Sequence, residues 1–259
     1  MNNEKQKTVI ITGGGSGIGR ATALRLAMDG YSIGLIGRTA EKLEQTKQLI
    51  KKIIPHVIYK TADVREKDQV YEAFEYISSH LFKLTGVVAA AGVGGSNKPE
   101  GDDDRWDEVV KTNLYGTYYT LTAAVEYIED SNEPKQLIAI SSLLARIGIK
   151  NYTAYCSSKA GVLGLVRSLA IELSDKGIRV NAICPGWVNT KMAEKGMKRL
   201  AKIEGITYEE EKNKALSNVP LNRMSTPEEI ADLISFLFGE GIWGFSGHTF
   251  DISNGSWMQ

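Results

Sequence analysis

Cysteine and histidine are scarce in this 259-residue chain, with two of the first and three of the second. Cys156 and Cys184 have no spacing that suits a disulfide framework or a zinc site, and His56, His80 and His248 are scattered. A disulfide-stapled secreted scaffold is therefore excluded, no metal site is expected, and a reducing cytoplasm is the expected location. Net charge is also missing. Lys plus Arg and Asp plus Glu both number 31, which removes the electrostatic case for binding nucleic acid or an anionic membrane. No apolar run approaches the roughly 20 residues of a membrane span. The polar start, Met1 to Lys7, leads into an apolar run that ends within four residues, unlike a signal peptide. Internal repeats, low-complexity tracts and linkers are absent too.

What is present is 42% hydrophobic residues, enough for a real core. Apolar runs alternate with amphipathic stretches, which argues for βαβ units, a parallel sheet and a single domain over residues 1–259. Strands are expected at Val9 to Ile11, Ser32–Gly37, 57–59, 86–91, in a run ending at Ser142, at 178–184 and at Thr249–Ile252. Helices are expected after the first strand, at 41–54 (stopped by Pro55), at 66–80, as one long helix over 104–129, around Tyr155, and over Pro227–Phe238 with Thr226 as N-cap.

The residues with the clearest chemistry are Tyr155 and Lys159, four apart and so on one helix face. A free tyrosine has a pKa of about 10, and lowering it to about 7 takes roughly 4 kcal/mol of differential interaction. One close ammonium plus a second cation could supply that. Ser142, thirteen residues before Tyr155, ends an apolar run and offers a hydroxyl to bind the oxygen that Tyr155 would protonate. The alternative is a surface Tyr–Lys pair. Cys156 reads as small helix filler, because no histidine lies near it in sequence. Thr12-Gly13-Gly14-Gly15-Ser16-Gly17-Ile18-Gly19 follows a strand-like run and opens a helix-like one. Glycines there permit tight turns and let the backbone approach a pyrophosphate, which a helix N-terminus stabilises.

Taken together, T-G-x-x-x-G-I-G near the start, Asn113 in a mid-chain helix, S-x12-Y-x3-K and a late Pro-Gly resemble the short-chain dehydrogenases/reductases over essentially the whole chain. The resemblance implies a doubly wound, Rossmann-type α/β domain and a nicotinamide cofactor. Asn113, Ser142, Tyr155 and Lys159 match that family's four catalytic positions. By the same resemblance, Gly13, Gly15, Ser16, Gly17, Ile18 and Gly19 would cradle the phosphates. Asp63 and Val64 would edge the adenine, although Asp63 also reads as a helix cap. Ala90 and Gly92 would pass close to the cofactor, and Pro185, Gly186, Val188 and Thr190 would orient the nicotinamide. Asn113 would hold a water linking Lys159 to solvent; its alternative is an exposed polar position. Ala90 departs from the family, which has Asn there, so an internal hydrogen-bonding group is missing from that strand.

An acidic residue about 20 positions past the glycines would hold the ribose 2′-hydroxyl of NAD. Gly37 occupies that place and Arg38 follows. A guanidinium binds a 2′-phosphate that a carboxylate would repel, so NADP(H) is expected, with NAD(H) second; the alternative use of Arg38 is stacking on adenine. Residues 191–218 mix methionines and charges and read as a lid of one or two amphipathic helices over the substrate. The Tyr155 helix is apolar nearly all round, which calls for cover on a second side, and a homotetramer matches the family habit. The resulting expectation is an NADP(H)-dependent reduction of a small-molecule ketone, similar to 3-oxoacyl thioester and polyketide-type ketoreductases. The alternatives are an NAD-linked dehydrogenase of a cyclic or sugar alcohol, and a cofactor sensor without turnover. Retention of Ser142, Tyr155 and Lys159 argues against the sensor.

Overall fold

The structure, a computed structural model, describes residues 7–97, 104–128, 133–239 and 241–258. Seven strands, β1 (Thr8–Thr12), β2 (Ser32–Gly37), β3 (Val57–Thr61), β4 (Leu84–Ala89), β5 (Lys135–Ile140), β6 (Ile178–Pro185) and β7 (Thr249–Ile252), form one sheet. Its order is β3-β2-β1-β4-β5-β6-β7 and all six neighbouring pairs are parallel. Parallel strands need crossovers, and crossover helices cover both faces, which is why β1, β4, β5 and β6 are buried along their whole length.

Side chains alternate across the sheet. Ile10 joins a core with Phe74 and Ile77 of α3 (Lys67–His80), Leu121 of α5 (Gly116–Tyr127) and Val162 of α6 (Thr153–Glu172). Val9 and Ile11 face the other core, with Leu26 of α1 (Gly17–Met28), Leu43 of α2 (Ala40–Ile50) and Ile234 of α9 (Pro227–Phe238). The alternating pattern calls for a parallel sheet, and the doubly wound arrangement is the one that the resemblance implies. α9 starts where expected: Thr226, just before Pro227, and Glu229, in the first turn, form a reciprocal capping box.

Several element ends shift by one or two residues, as in β1, β3, α3 and β6, and three further differences bear on the site or its frame. α2 ends at Ile50 and continues only as turns to Ile53, because the residue before a proline is pushed out of helical geometry. β4 stops at Ala89; Ala90 bonds back to Val88 and Ala91 donates to the Thr12 hydroxyl, so the chain peels off the ladder. The stretch 104–129 is not one regular helix. α4 (Trp106–Val110) passes through a π turn at Lys111–Tyr115 into α5, and Glu129 lies outside the described residues. After β6, the stretch 191–218 folds as α7 (Lys191–Glu204) and α8 (Tyr208–Ser217). No described helix is long and apolar enough to cross a membrane.

Candidate active site

Strand order reverses between β1 and β4, and a crevice at the carboxyl ends of parallel strands is where such sheets bind ligands. The glycine turn lies there. Gly13 has φ of 71°, and a Cβ on it would sit 2.8 Å from Ala91 N and 2.9 Å from the Ala90 carbonyl. A Cβ on Gly19 would lie 2.4 Å from Gly13 O, so the first turn of α1 packs directly on the turn before it. Ser16 makes no side-chain cap and no acidic residue lies in that first turn, which leaves an electropositive helix end suited to an anion. Arg20 braces the turn from behind, donating to Gly15 O at 2.6 Å and to Thr46 Oγ1 at 2.9 Å.

A cleft of about 160 Å³ runs from this turn past Gly37, Arg38, Val64 and Gly92. Gly37 has room for a side chain, since a Cβ would meet only Leu43 at 3.4 Å. The lack of a carboxylate there is thus a matter of chemistry and not of space. Arg38 is half exposed, with Nη1 4.0 Å from Asp63 Oδ2. Asp63 is held mainly by Arg65, whose Nη2 donates to Oδ2 at 2.6 Å and whose backbone N–H donates to Oδ1 at 3.1 Å. Burial raises the Asp63 pKa, but these bonds outweigh it and hold the carboxyl below its usual range. The helix-cap reading of Asp63 is not what forms: α3 begins at Lys67, and its N-cap residue is Glu66, without a side-chain cap.

At the other end of the crevice stand the four residues matched to catalytic positions. α6 puts Lys159 Nζ 5.8 Å from the centre of the Tyr155 ring. That ammonium donates to Ile140 O at 2.8 Å, and Ser141 Oγ donates to Lys159 O at 2.8 Å. Ser142 Oγ accepts from Leu144 N at 3.1 Å and lies near enough to the Tyr155 side chain to draw its pKa down. Here one expectation is corrected. Burial pushes the Tyr155 pKa above its ordinary value; the hydrogen bond with Ser142 is the main opposing influence, and not Lys159. The reason is geometric, because the ammonium points at a β5 carbonyl. Burial also lowers Lys159 to about 8.

Asn113 is fully buried in the π turn, which removes the exposed-position alternative. Its Oδ1 accepts from Val93 N at 2.8 Å, while Nδ2 donates to Val93 O at 3.0 Å and to Ser158 Oγ at 3.2 Å. With Thr12, it braces the chain leaving β4, where Ala90 offers no polar group. Gly92 lies between Asn113 and Lys159: a Cβ there would be 3.2 Å from Oδ1 and 3.6 Å from Nζ. Pro185 ends β6, Gly186 N donates to Ile252 O, and Val188 bridges to Ser225. Thr190 caps α7 and its methyl would touch a Cβ on Gly17 at 3.4 Å. The residues picked out from the sequence thus follow the carboxyl ends of β1 to β6 or lie on the helices beside them.

The family model described as "Enoyl-(Acyl carrier protein) reductase", a short-chain dehydrogenase/reductase model, matches residues 13–256. The chain belongs to the short-chain dehydrogenase/reductase family. It is 31% identical to the (3R)-3-hydroxyacyl-CoA dehydrogenase of Rattus norvegicus, over 96% of this chain and 95% of that one. It is 34% identical to levodione reductase of Leifsonia aquatica, over 90% and 88%. A crystal structure of levodione reductase superposes with a TM-score of 0.89 at 30% identity over 96% of both chains. A variant of actinorhodin polyketide ketoreductase, crystallised with NADPH, superposes with a TM-score of 0.90 at 27% identity over 98% of both.

Membership makes the chain an oxidoreductase of ketone and alcohol groups and a user of a nicotinamide cofactor. The glycine cradle fits such a group, since a Cβ at Gly15 would be 3.0 Å from Lys42 Cβ and one at Gly13 would be blocked by Ala90. Thr112 lines the same cleft with a buried hydroxyl that has no partner among the described residues. Sequence reading missed Thr112, Thr39 and Lys42, which also line the cleft. Lys42 had a signal, being a cation in the first turn of the helix that follows Arg38; Thr112 had none. Among the described residues no three His, Cys, Asp or Glu side chains cluster as a metal site.

Proposed function

We propose that this chain reduces an apolar ketone to a secondary alcohol with NADPH, Tyr155 delivering the proton. The observation that carries this reading is the half-buried Tyr155 phenol set beside Ser142 at the end of β5, with the buried Lys159 ammonium 5.8 Å from its ring centre; the phenol is protonated at neutral pH, the form a proton donor needs. The cofactor, when bound, supplies the hydride. Ser142 and Tyr155 bind the ketone oxygen from two sides, and Tyr155 passes its proton to that oxygen. Lys159, still mostly charged at neutral pH with a pKa of about 8, holds the ribose and stands 5.8 Å from the ring centre of the phenolate left behind. Asn113 and Gly92 shape the path by which that proton is replaced.

Gly13 to Gly19 and the α1 amino end would take the pyrophosphate, Val64 and Asp63 the adenine, and Val188 and Thr190 the nicotinamide amide. Arg38 beside a side-chain-free Gly37 supports NADPH over NADH. The substrate wall is apolar at the one place where contacts define it. A Cβ on Gly94 would lie 3.9 Å from Tyr155 Cε2 and 3.1 Å from Met192 Sδ, on the first turn of α7. That supports α7 and α8 as a lid over a 3-oxoacyl thioester or similar ketone, a class to which the names of the acyl-CoA and polyketide relatives also point. Exposed Trp106, Tyr115, Tyr118 and Ile171 support a homotetramer, measurable by light scattering.

Replacement of Tyr155 by Phe tests the reading. A positioned acid is worth about 10²–10⁴-fold, so ketone-dependent loss of NADPH should fall at least that far while cofactor affinity stays unchanged. A Phe variant that retained most of its turnover would remove Tyr155 from the chemistry.

A further inference from the structure

The amino end of α6 carries the proposed proton donor, yet its own N-cap residue, Tyr152, makes no side-chain cap hydrogen bond. The acceptor comes from 57 residues earlier, where Asn97 Oδ1 takes the N–H of Ala154 at 3.0 Å. The same oxygen accepts from the Thr153 hydroxyl at 3.2 Å. Asn97 Nδ2 donates to Thr153 Oγ1 at 2.9 Å and to Asp104 Oδ1 at 3.4 Å, and the Asn97 N–H donates to Asn151 O at 2.8 Å. The residue is 2% exposed, and its bond to the Ala154 N–H is buried, where an unmade one is costly.

Asn97 also closes a short loop that borders Tyr155. At its start, both backbone groups of Val93 are held by the Asn113 side chain, and Gly94 O accepts from Arg105 Nη1 at 3.2 Å. The middle, at Gly94, runs past the Tyr155 ring edge. The loop is therefore fastened at one end to the π turn and at the other to the two residues that precede Tyr155. We propose that Asn97 is a positioning residue for Tyr155: it locks the first turn of α6 to the chain leaving β4, so that the hydroxyl of Tyr155 and the ketone oxygen keep one fixed geometry. This rests on Tyr155 acting as the proton donor. Capping the Ala154 N–H also stabilises α6, so the positioning role is read in kcat against NADPH affinity and not in stability.

The test compares Asn97→Leu, Asn97→Asp, and Asn97→Asp combined with Asp104→Asn, assayed for kcat with a ketone and for NADPH affinity by fluorescence titration. Small misplacements of reacting groups cost about 10²-fold, so Asn97→Leu should lower kcat by roughly 10- to 100-fold while NADPH affinity stays within about twofold. Asn97→Asp keeps the acceptor for Ala154 but faces Asp104, and should be impaired. The double replacement restores a donor and acceptor with their ends exchanged and should recover most of the lost kcat. A folded Asn97→Leu protein with near-normal kcat overturns the inference, and so does a loss of kcat matched by loss of NADPH affinity. Should Asn97→Leu not fold, the Asp pair decides: equal kcat in the single and double variants overturns the inference. Tyr155→Phe is run alongside. If it stays active the proton-donor reading falls, whereas an inactive Tyr155→Phe beside an unimpaired Asn97→Leu sinks only the positioning role.

Discussion

Lys159 Nζ donates to the carbonyl oxygen of Ile140 at 2.8 Å. That single bond anchors a 5% exposed ammonium to the end of β5, and burial lowers its pKa from 10.5 to about 8. Below pH 8 the folded chain carries a charge that it holds at a cost of up to about 3 kcal/mol, taken at about 1.36 kcal/mol per pKa unit. Between pH 8 and 10.5 the unfolded chain keeps the proton that the folded one has released, so stability rises with pH across that window. Lys159→Met removes this titration. At neutral pH the Met variant should unfold at a higher urea concentration than wild type, and the gap should shrink as pH rises through the window. Turnover should be lost at every pH. A gap that does not change with pH would mean that the ammonium is not burdened by burial.

Arg38 should set the cofactor preference. A hydrogen bond to a charged group contributes about 1.5–3 kcal/mol, and half exposure argues for the lower end. NADPH should therefore be favoured over NADH by about tenfold in kcat/KM. Because Gly37 has room for a side chain, Gly37→Asp with Arg38→Leu should erase or invert the ratio without loss of folding. Steady-state kinetics with both cofactors measures it. A wild type that prefers NADH, or a ratio the double variant does not move, would dismiss the 2′-phosphate reading.

The α7–α8 segment should gate the site. Among its residues Met197 and Ala201 are buried, whereas Met192 and Ile203 are 47% and 64% exposed, so little apolar area holds the pair down. Elements with few buried contacts open at low free energy. Amide hydrogen exchange over 191–218 should be fast in the free protein and slowed by NADPH with a ketone or its alcohol. Strong protection in both states would count against a lid.

The element order was legible in the sequence because strands and helices have different apolar periods, and because Pro55, Thr226 and Pro227 punctuate them locally. The spans Ser32–Gly37, Pro227–Phe238 and Thr249–Ile252 match residue for residue. The Tyr155–Lys159 spacing and the glycine turn were legible too, since each acts over at most two turns of chain.

What only the tertiary structure decided involves groups far apart in sequence. No local pattern says that Arg38, just after β2, comes within 4.0 Å of Asp63, just after β3. The π turn around Asn113 could not be read from helix propensity; its Asn side chain is committed to Val93, 20 residues away. The sign of the Tyr155 shift was missed for the same reason. Spacing along a helix says that two side chains share a face, but burial depends on what packs over them, and a competing acceptor such as the Ile140 carbonyl comes from another strand. Periodicity and spacing are local properties that a chain carries in any conformation, whereas desolvation and hydrogen-bond partners across the sheet exist only after distant segments have been brought together.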